Sequence, residues 1–151
     1  MESVVTISRT ELARNTRQTV DRARRGETIL VKSFGEEQVA ILDIYDYRLL
    51  RAIASYQARP NAPVQHDDSI PAGLNEEVVE DILHEKGAQT AWDLVIHAYL
   101  DGDISLGRAA ALLGMNRFDL LAHFDRLGAP LRTGPVNEEE ILADWQALGA
   151  Q

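Results

Sequence analysis

The sequence predicts an α+β module of order strand, helix, strand, strand, helix, followed by an all-α module that contains a helix-turn-helix-like segment. Three observations lead there. Short β-branched runs alternate with helical spacing over residues 1–56; "QARPNAPVQHDDSIPAG" at 57–73 has three prolines, a glycine and an Asp pair without apolar periodicity; every periodic segment from 74 to 151 is helical. The expected division is therefore a first module over 1–56, a linker over 57–73 and a helical module over 74–151.

The first element is the β-branched run "SVVTIS". "RTELARNTRQTVDRARRG" then takes up helical spacing, with Gly26 placed to stop it. At 100° per residue, Leu12, Thr16, Val20 and Ala23 fall on one face of that helix and Arg14, Arg17, Arg22 and Arg25 largely on the other. "ETILVKS" and "EQVAILDI" flank the short "FGE" turn, the pattern of a hairpin. "YDYRLLRAIASY" resumes helical spacing through Tyr47, Leu50, Ile53 and Ala54.

Beyond the linker, Asn75 stands where it would cap "NEEVVEDILHEKG", with Glu76 and Glu77 in the first turn, where the helix dipole favours anions. "TAWDLVIHAYLDGD" closes at Gly102, and Trp92 within it reads as a core residue. In "ISLGRAAALLGMNRFDLLAHFDRLG" the small and apolar residues Ala109, Ala110, Leu113, Met115, Leu120 and Leu121 let two short helices cross closely, with Gly114 permitting the turn and Asn116 capping the second helix. His123 occupies a position where such units usually bury an apolar side chain. The last helix, "NEEEILADWQAL", carries Ile141, Leu142, Trp145 and Leu148 along one side.

Composition bounds the function. The chain has 151 residues, 45% of them hydrophobic and 26% charged, which suits a packed globular protein. It has no cysteine, so disulfides and thiolate zinc sites are excluded. With no apolar run long enough to span a bilayer and no leader-like start, a soluble, cytoplasmic protein without membrane association is expected. The net charge of −9 is divided unevenly: residues 1–60 hold ten Arg and Lys against eight Asp and Glu, whereas 61–151 hold five against sixteen. A mildly basic first part suits nucleic acid, and an acidic second part suits a basic protein or simple solvation.

The stretch "TISRTELARNTRQTVDRARRGETILVKSFGEEQVAILDIYDYRLL" resembles the Phd/YefM antitoxins over residues 4 to about 54. The resemblance is carried by a short strand, Ser8-Arg9-Thr10, the Arg14-Asn15 pair, Gly26-Glu27 before a strand, Gly35 in the hairpin, and "VAIL" followed by Tyr47 and Leu50. It implies a Phd/YefM-like dimerisation fold in which two chains present the N-terminal ends of their first helices to operator DNA. By position, Ser8, Arg9, Thr10, Arg14 and Asn15 would face DNA, with Arg17 near phosphate. Arg pairing with guanine and Asn with adenine gives the same placement a chemical basis. Here Arg14 directly precedes Asn15 and Thr16 follows, a departure from many members that bears on base specificity.

The second half resembles a small uncharacterised family of helix-turn-helix proteins whose genes often neighbour those of PIN-domain ribonucleases. That likeness spans roughly 74–148 and is strongest at "DGDISLGRAAALLGM". The charges on the second helix of this segment cancel, so a packing hairpin is the expected reading over a DNA reader. Toxin binding falls instead to the C-terminal helix, through Glu139, Ile141, Leu142, Trp145 and Leu148, with docking on its own fold as the plain alternative. The histidines at 66, 84, 97 and 123 have no metal-pair spacing, "HDD" at 66–68 lies in the linker, and no phosphate loop or nucleophile elbow appears. No metal, cofactor or enzymatic activity is expected.

Together these readings give an antitoxin of a toxin–antitoxin pair: a homodimer, with pairing of dimers left open, that represses its own operon and blocks a ribonuclease toxin of the PIN-domain kind. A regulator without a toxin, and a purely structural interaction module, are the competing readings.

Overall fold

A computed structural model describes residues 3–59, 74–129 and 131. The chain has a mixed α+β architecture, a three-stranded sheet with two short helices followed by a set of packed helices. The order is β1 (Val4–Ser8), α1 (Arg9–Arg14), α2 (Thr16–Arg24), β2 (Thr28–Ser33), β3 (Glu36–Ile41), α3 (Ile44–Gln57), α4 (Glu76–Lys86), α5 (Ala88–Leu100), α6 (Leu106–Leu112) and α7 (Arg117–Arg126).

The sheet has the order β1-β2-β3, with β1 parallel to β2 and β3 antiparallel to it. The hairpin closes on Phe34 and Gly35, both at positive φ (54° and 78°), between the paired Ser33 and Glu36. Two residues with positive φ match the twist of the flanking strands, and this selects the tight turn. Central β2 buries Ile29, Val31 and Ser33, while β1 and β3 remain largely exposed.

The predicted first helix is broken at Asn15, which has φ −124° and ψ 36° and separates α1 from α2. The Thr16 hydroxyl donates to the Leu12 carbonyl at 2.7 Å, a local bond that competes with regular helix. The break turns the buried face: Thr19 and Ala23 point into the sheet, whereas Thr16 and Val20, expected inside, are exposed.

A second and larger core belongs to the helices. Val95, Ile96, Ala109, Ala110, Leu120 and Phe124 have essentially no exposure, and Trp92 is buried among them as expected. Asn75 and Asn116 cap α4 and α7, accepting from Val78 N–H at 2.9 Å and Asp119 N–H at 2.8 Å. Gly114 takes the φ of +74° that the turn between α6 and α7 requires.

Helix α3 joins this larger core. Its buried residues are Asp46, Leu49, Ala52 and Ile53, and the last three sit in one cluster with α4 to α7. Of the four residues that carry the expected helical spacing, Ile53 is buried, whereas Tyr47, Leu50 and Ala54 are exposed. The helix is apolar on two sides, and burial selects the side one residue away.

Polar groups fasten the C-terminal end of α3 to α5. Arg59 donates to His97 Nδ1 at 2.9 Å and to Asp101 at 3.1 Å, and the Tyr56 hydroxyl donates to the other Asp101 oxygen at 2.9 Å. An arginine can only donate, so His97 carries its proton on Nε2, which faces the Ala52 carbonyl at 3.0 Å and Ser55 Oγ at 2.9 Å. Ser55 donates in turn to the Ala52 carbonyl. The Ser55–His97 pair therefore lacks the free lone pair a general base needs.

Burial, with the Arg59 charge beside it, holds the His97 imidazole below its ordinary range, and the Ala52 carbonyl opposes this only in part. The folded state favours neutral His97. Its contribution is present above the unfolded histidine value, about 6.5, and is lost as pH falls through the lower folded value. The urea midpoint is expected to fall between pH 7.5 and pH 5.5, and His97→Gln to flatten that decline; an equally steep decline in the variant would show that other groups cause it.

Candidate nucleic-acid interface

The N-terminal face is built by local rules. Ser8 ends β1 and caps α1, its hydroxyl oxygen accepting the Glu11 N–H at 3.1 Å. Asn15 makes no side-chain cap to α2. Arg9, Thr10 and Arg14 extend from α1, Asn15 occupies the break, and Arg17 opens α2. All six sequence-predicted residues, Ser8 included, are exposed, and Arg14, Asn15, Arg17, Gln18 and Arg25 line one shallow depression with Asp21. Arg22 is committed elsewhere: Glu27 takes its guanidinium in a two-point ion pair, which raises the arginine and lowers the glutamate from their ordinary values.

This surface can hold phosphates. Among the described residues Arg14, Arg17 and Arg25 carry no ion pair, Asp21 lies at the edge of the depression, and the side chains of Arg14 and Asn15 are of the types that bond guanine and adenine edges. The break at Asn15 matters for reach, because it orients Arg14 and Arg17 independently of one straight helix axis.

The second helix of the helix-turn-helix-like segment, α7, is a different surface. His123 and Arg126 turn inward. His123 Nδ1 lies against Asp46 Oδ1, and Arg126 reaches both Asp46 oxygens at 3.1 and 3.0 Å and His123 Nδ1 at 2.7 Å. The exposed residues of α7 are Phe118, Asp119, Ala122 and Asp125, so its outer face presents two carboxylates where a reading helix would present cations.

Asp46 is 4% exposed and His123 8%. Burial alone would raise the Asp46 carboxyl, but the hydrogen bonds from His123 and Arg126, with the Arg126 charge, outweigh it and hold it below the usual carboxylate range. The ring of Tyr45 covers the pair, edge-on to His123 at 5.8 Å and stacked on Trp92 at 5.6 Å. Asp43, Asp46 and His123 bring ligand-type atoms within 4.8 Å of one another, a spacing that could hold a cation. The Arg126 guanidinium takes up the Asp46 oxygens such an ion would need.

The sequence reading missed Asp46 and Arg126. The available signal was His123: an imidazole at an apolar position of a helical hairpin demands a buried partner, and "DIYDY" is a nearby source of carboxylates at the start of α3. The toxin-facing set Glu139, Ile141, Leu142, Trp145 and Leu148, and the "HDD" of 66–68, lie outside the described residues.

Removing one partner of a buried ion pair strands the other. Asp46→Ala is expected to cost about 3–5 kcal/mol of unfolding free energy, measured by urea denaturation at pH 7; a loss under about 1 kcal/mol would show that the network is not buried in the sense described.

Comparison with known proteins places the second half of the chain. A protein of Archaeoglobus fulgidus, described as a UPF0175 protein, is 30% identical over 73 residues, covering 48% of this chain and 74% of the relative. No solved structure matches. The model of the uncharacterised protein family UPF0175 matches residues 69–150, which takes in α4 to α7, and with more than half of its length covered the chain belongs to that family.

Proposed function

We propose that the protein is an antitoxin that represses its own operon through the α1–α2 face and neutralises a ribonuclease toxin through its acidic second half. The observation that carries this reading is the separation of charge. Arg9, Arg14, Arg17 and Arg25 are exposed together on the N-terminal helices. The residues from 61 onward bear sixteen acidic against five basic side chains. One chain then has a surface for phosphate and a surface for a cationic protein.

Repression requires two copies, so that both sets of arginines reach a palindromic operator. The half-exposed apolar side chains Val20, Ile44, Tyr45 and Leu50 support pairing of two chains, because a monomer leaves them against water. The Phd/YefM resemblance of residues 4 to about 54 points the same way. α7 is a packing helix in this reading.

Neutralisation is steric. The apolar stripe Ile141, Leu142, Trp145 and Leu148 docks in a groove of the toxin, with Trp145 as anchor, while Glu138 to Glu140 face the basic surface that would bind RNA. A PIN-domain ribonuclease is the favoured partner, on the second resemblance.

The test is binding of the full chain to the DNA upstream of its own gene across a salt series, together with co-purification of the neighbouring gene's product. Steep salt dependence is expected. Arg17→Ala should lower the slope by about one, and Arg14→Ala should weaken binding by about 1–3 kcal/mol with relaxed sequence preference. Salt-insensitive or absent binding would remove the repressor role; failure of the chain to protect cells from the neighbouring product would remove the antitoxin role.

A further inference from the structure

We propose that Arg126 is a positioning residue that couples the helical core to the arginine-bearing helices, by holding the α2–β2 turn at Gly26 against the buried Asp46–His123 pair; the coupling to DNA rests on the nucleic-acid reading above. Three observations meet at this side chain. Its guanidinium is fixed by a buried acceptor, the Asp46 carboxylate, at 3.1 Å from Oδ2 and 3.0 Å from Oδ1, beside the His123 ring that donates to the same carboxylate. Its other side lies on Gly26: a Cβ built there would come within 2.9 Å of Cδ and Nε and 3.0 Å of Cζ. Gly26 itself stands at φ +102°, and its N–H closes the turn that ends α2 onto the Ala23 carbonyl at 3.0 Å.

Alongside this contact the sheet layer and the helical core draw apart. A cleft of about 640 Å³ runs between α2 and α7, with Val20, Ala23 and Arg24 on one wall and Asp119 and Ala122 on the other. Arg126 lines it as well. The side chain is therefore a strut: one end is anchored in the α3–α7 interface, and its flat face sets where the backbone after Arg25 can lie. A shift of α7 moves Gly26, and with it the end of the helix that carries Arg17 and Arg25. Lysine cannot replace it, because a point charge on a flexible stem neither bridges both carboxylate oxygens nor offers a planar face.

The sign of one substitution separates this role from plain electrostatics. Asp46→Asn removes a negative charge, which by charge alone leaves DNA affinity equal or tighter; Arg126→Lys keeps the charge. Coupling predicts that both variants, in the full chain and at a temperature where circular dichroism shows each fully folded, bind the upstream DNA at least fivefold more weakly than wild type. Affinity in either variant equal to or above wild type overturns the proposal. If the wild-type chain itself does not bind this DNA, the nucleic-acid reading fails separately, and the strut is judged by amide hydrogen exchange over residues 24–28. Exchange at least tenfold faster in both variants upholds it, and unchanged exchange in either overturns it.

Discussion

The buried face of α3 is the contact on which the rest of the structure depends. Leu49, Ala52 and Ile53 supply apolar area to a cluster otherwise built by α4 to α7, and Asp46 supplies the acceptor that His123 and Arg126 need. The burial is non-directional and sets the free-energy scale, whereas the ion pair is directional and sets register. Rotated by one residue, α3 would turn Leu50 inward in place of Leu49 and take Asp46 away from His123 and Arg126. The sheet layer carries a small core of its own, centred on Thr19, Ala23, Ile29 and Val31.

This arrangement explains the character of the two helical surfaces. Arg9, Arg14, Arg17 and Arg24 on α1 and α2 remain exposed, while Arg22 pairs with Glu27 in the turn before β2. His123 and Arg126 of α7 are drawn inward by Asp46 of α3. A helix-turn-helix outline is thus compatible with a segment whose outer face is acidic, and the outline alone does not decide what a helix reads.

Much of the fold was legible in the sequence. The strand and helix order, the hairpin at Phe34-Gly35, the caps at Asn75 and Asn116 and the turn at Gly114 all follow from local chemistry, which acts within a few residues. Two features were not legible in that way. The break at Asn15 comes from a competition between side-chain and backbone bonds that helical periodicity does not register. The rotation of α3 was hidden because the helix is apolar on two sides, and only tertiary packing chooses between Leu49 and Leu50. The candidate interface was legible through its arginines, which need no partner to be recognised, while the Asp46–His123–Arg126 cluster joins residues about 80 positions apart and was signalled only by a misplaced histidine. Composition marks where apolar periodicity lapses, but it does not say which core a helix on either side will join.

The most direct measurement compares two fragments by thermal and urea unfolding, one spanning 43–151 and the other 74–151. With α3 as an integral part of the helical core, the longer fragment unfolds cooperatively and the shorter one, lacking Asp46, Leu49, Ala52 and Ile53, does not. A shorter fragment that unfolds with the same cooperativity and midpoint as the longer would contradict the central place given to α3.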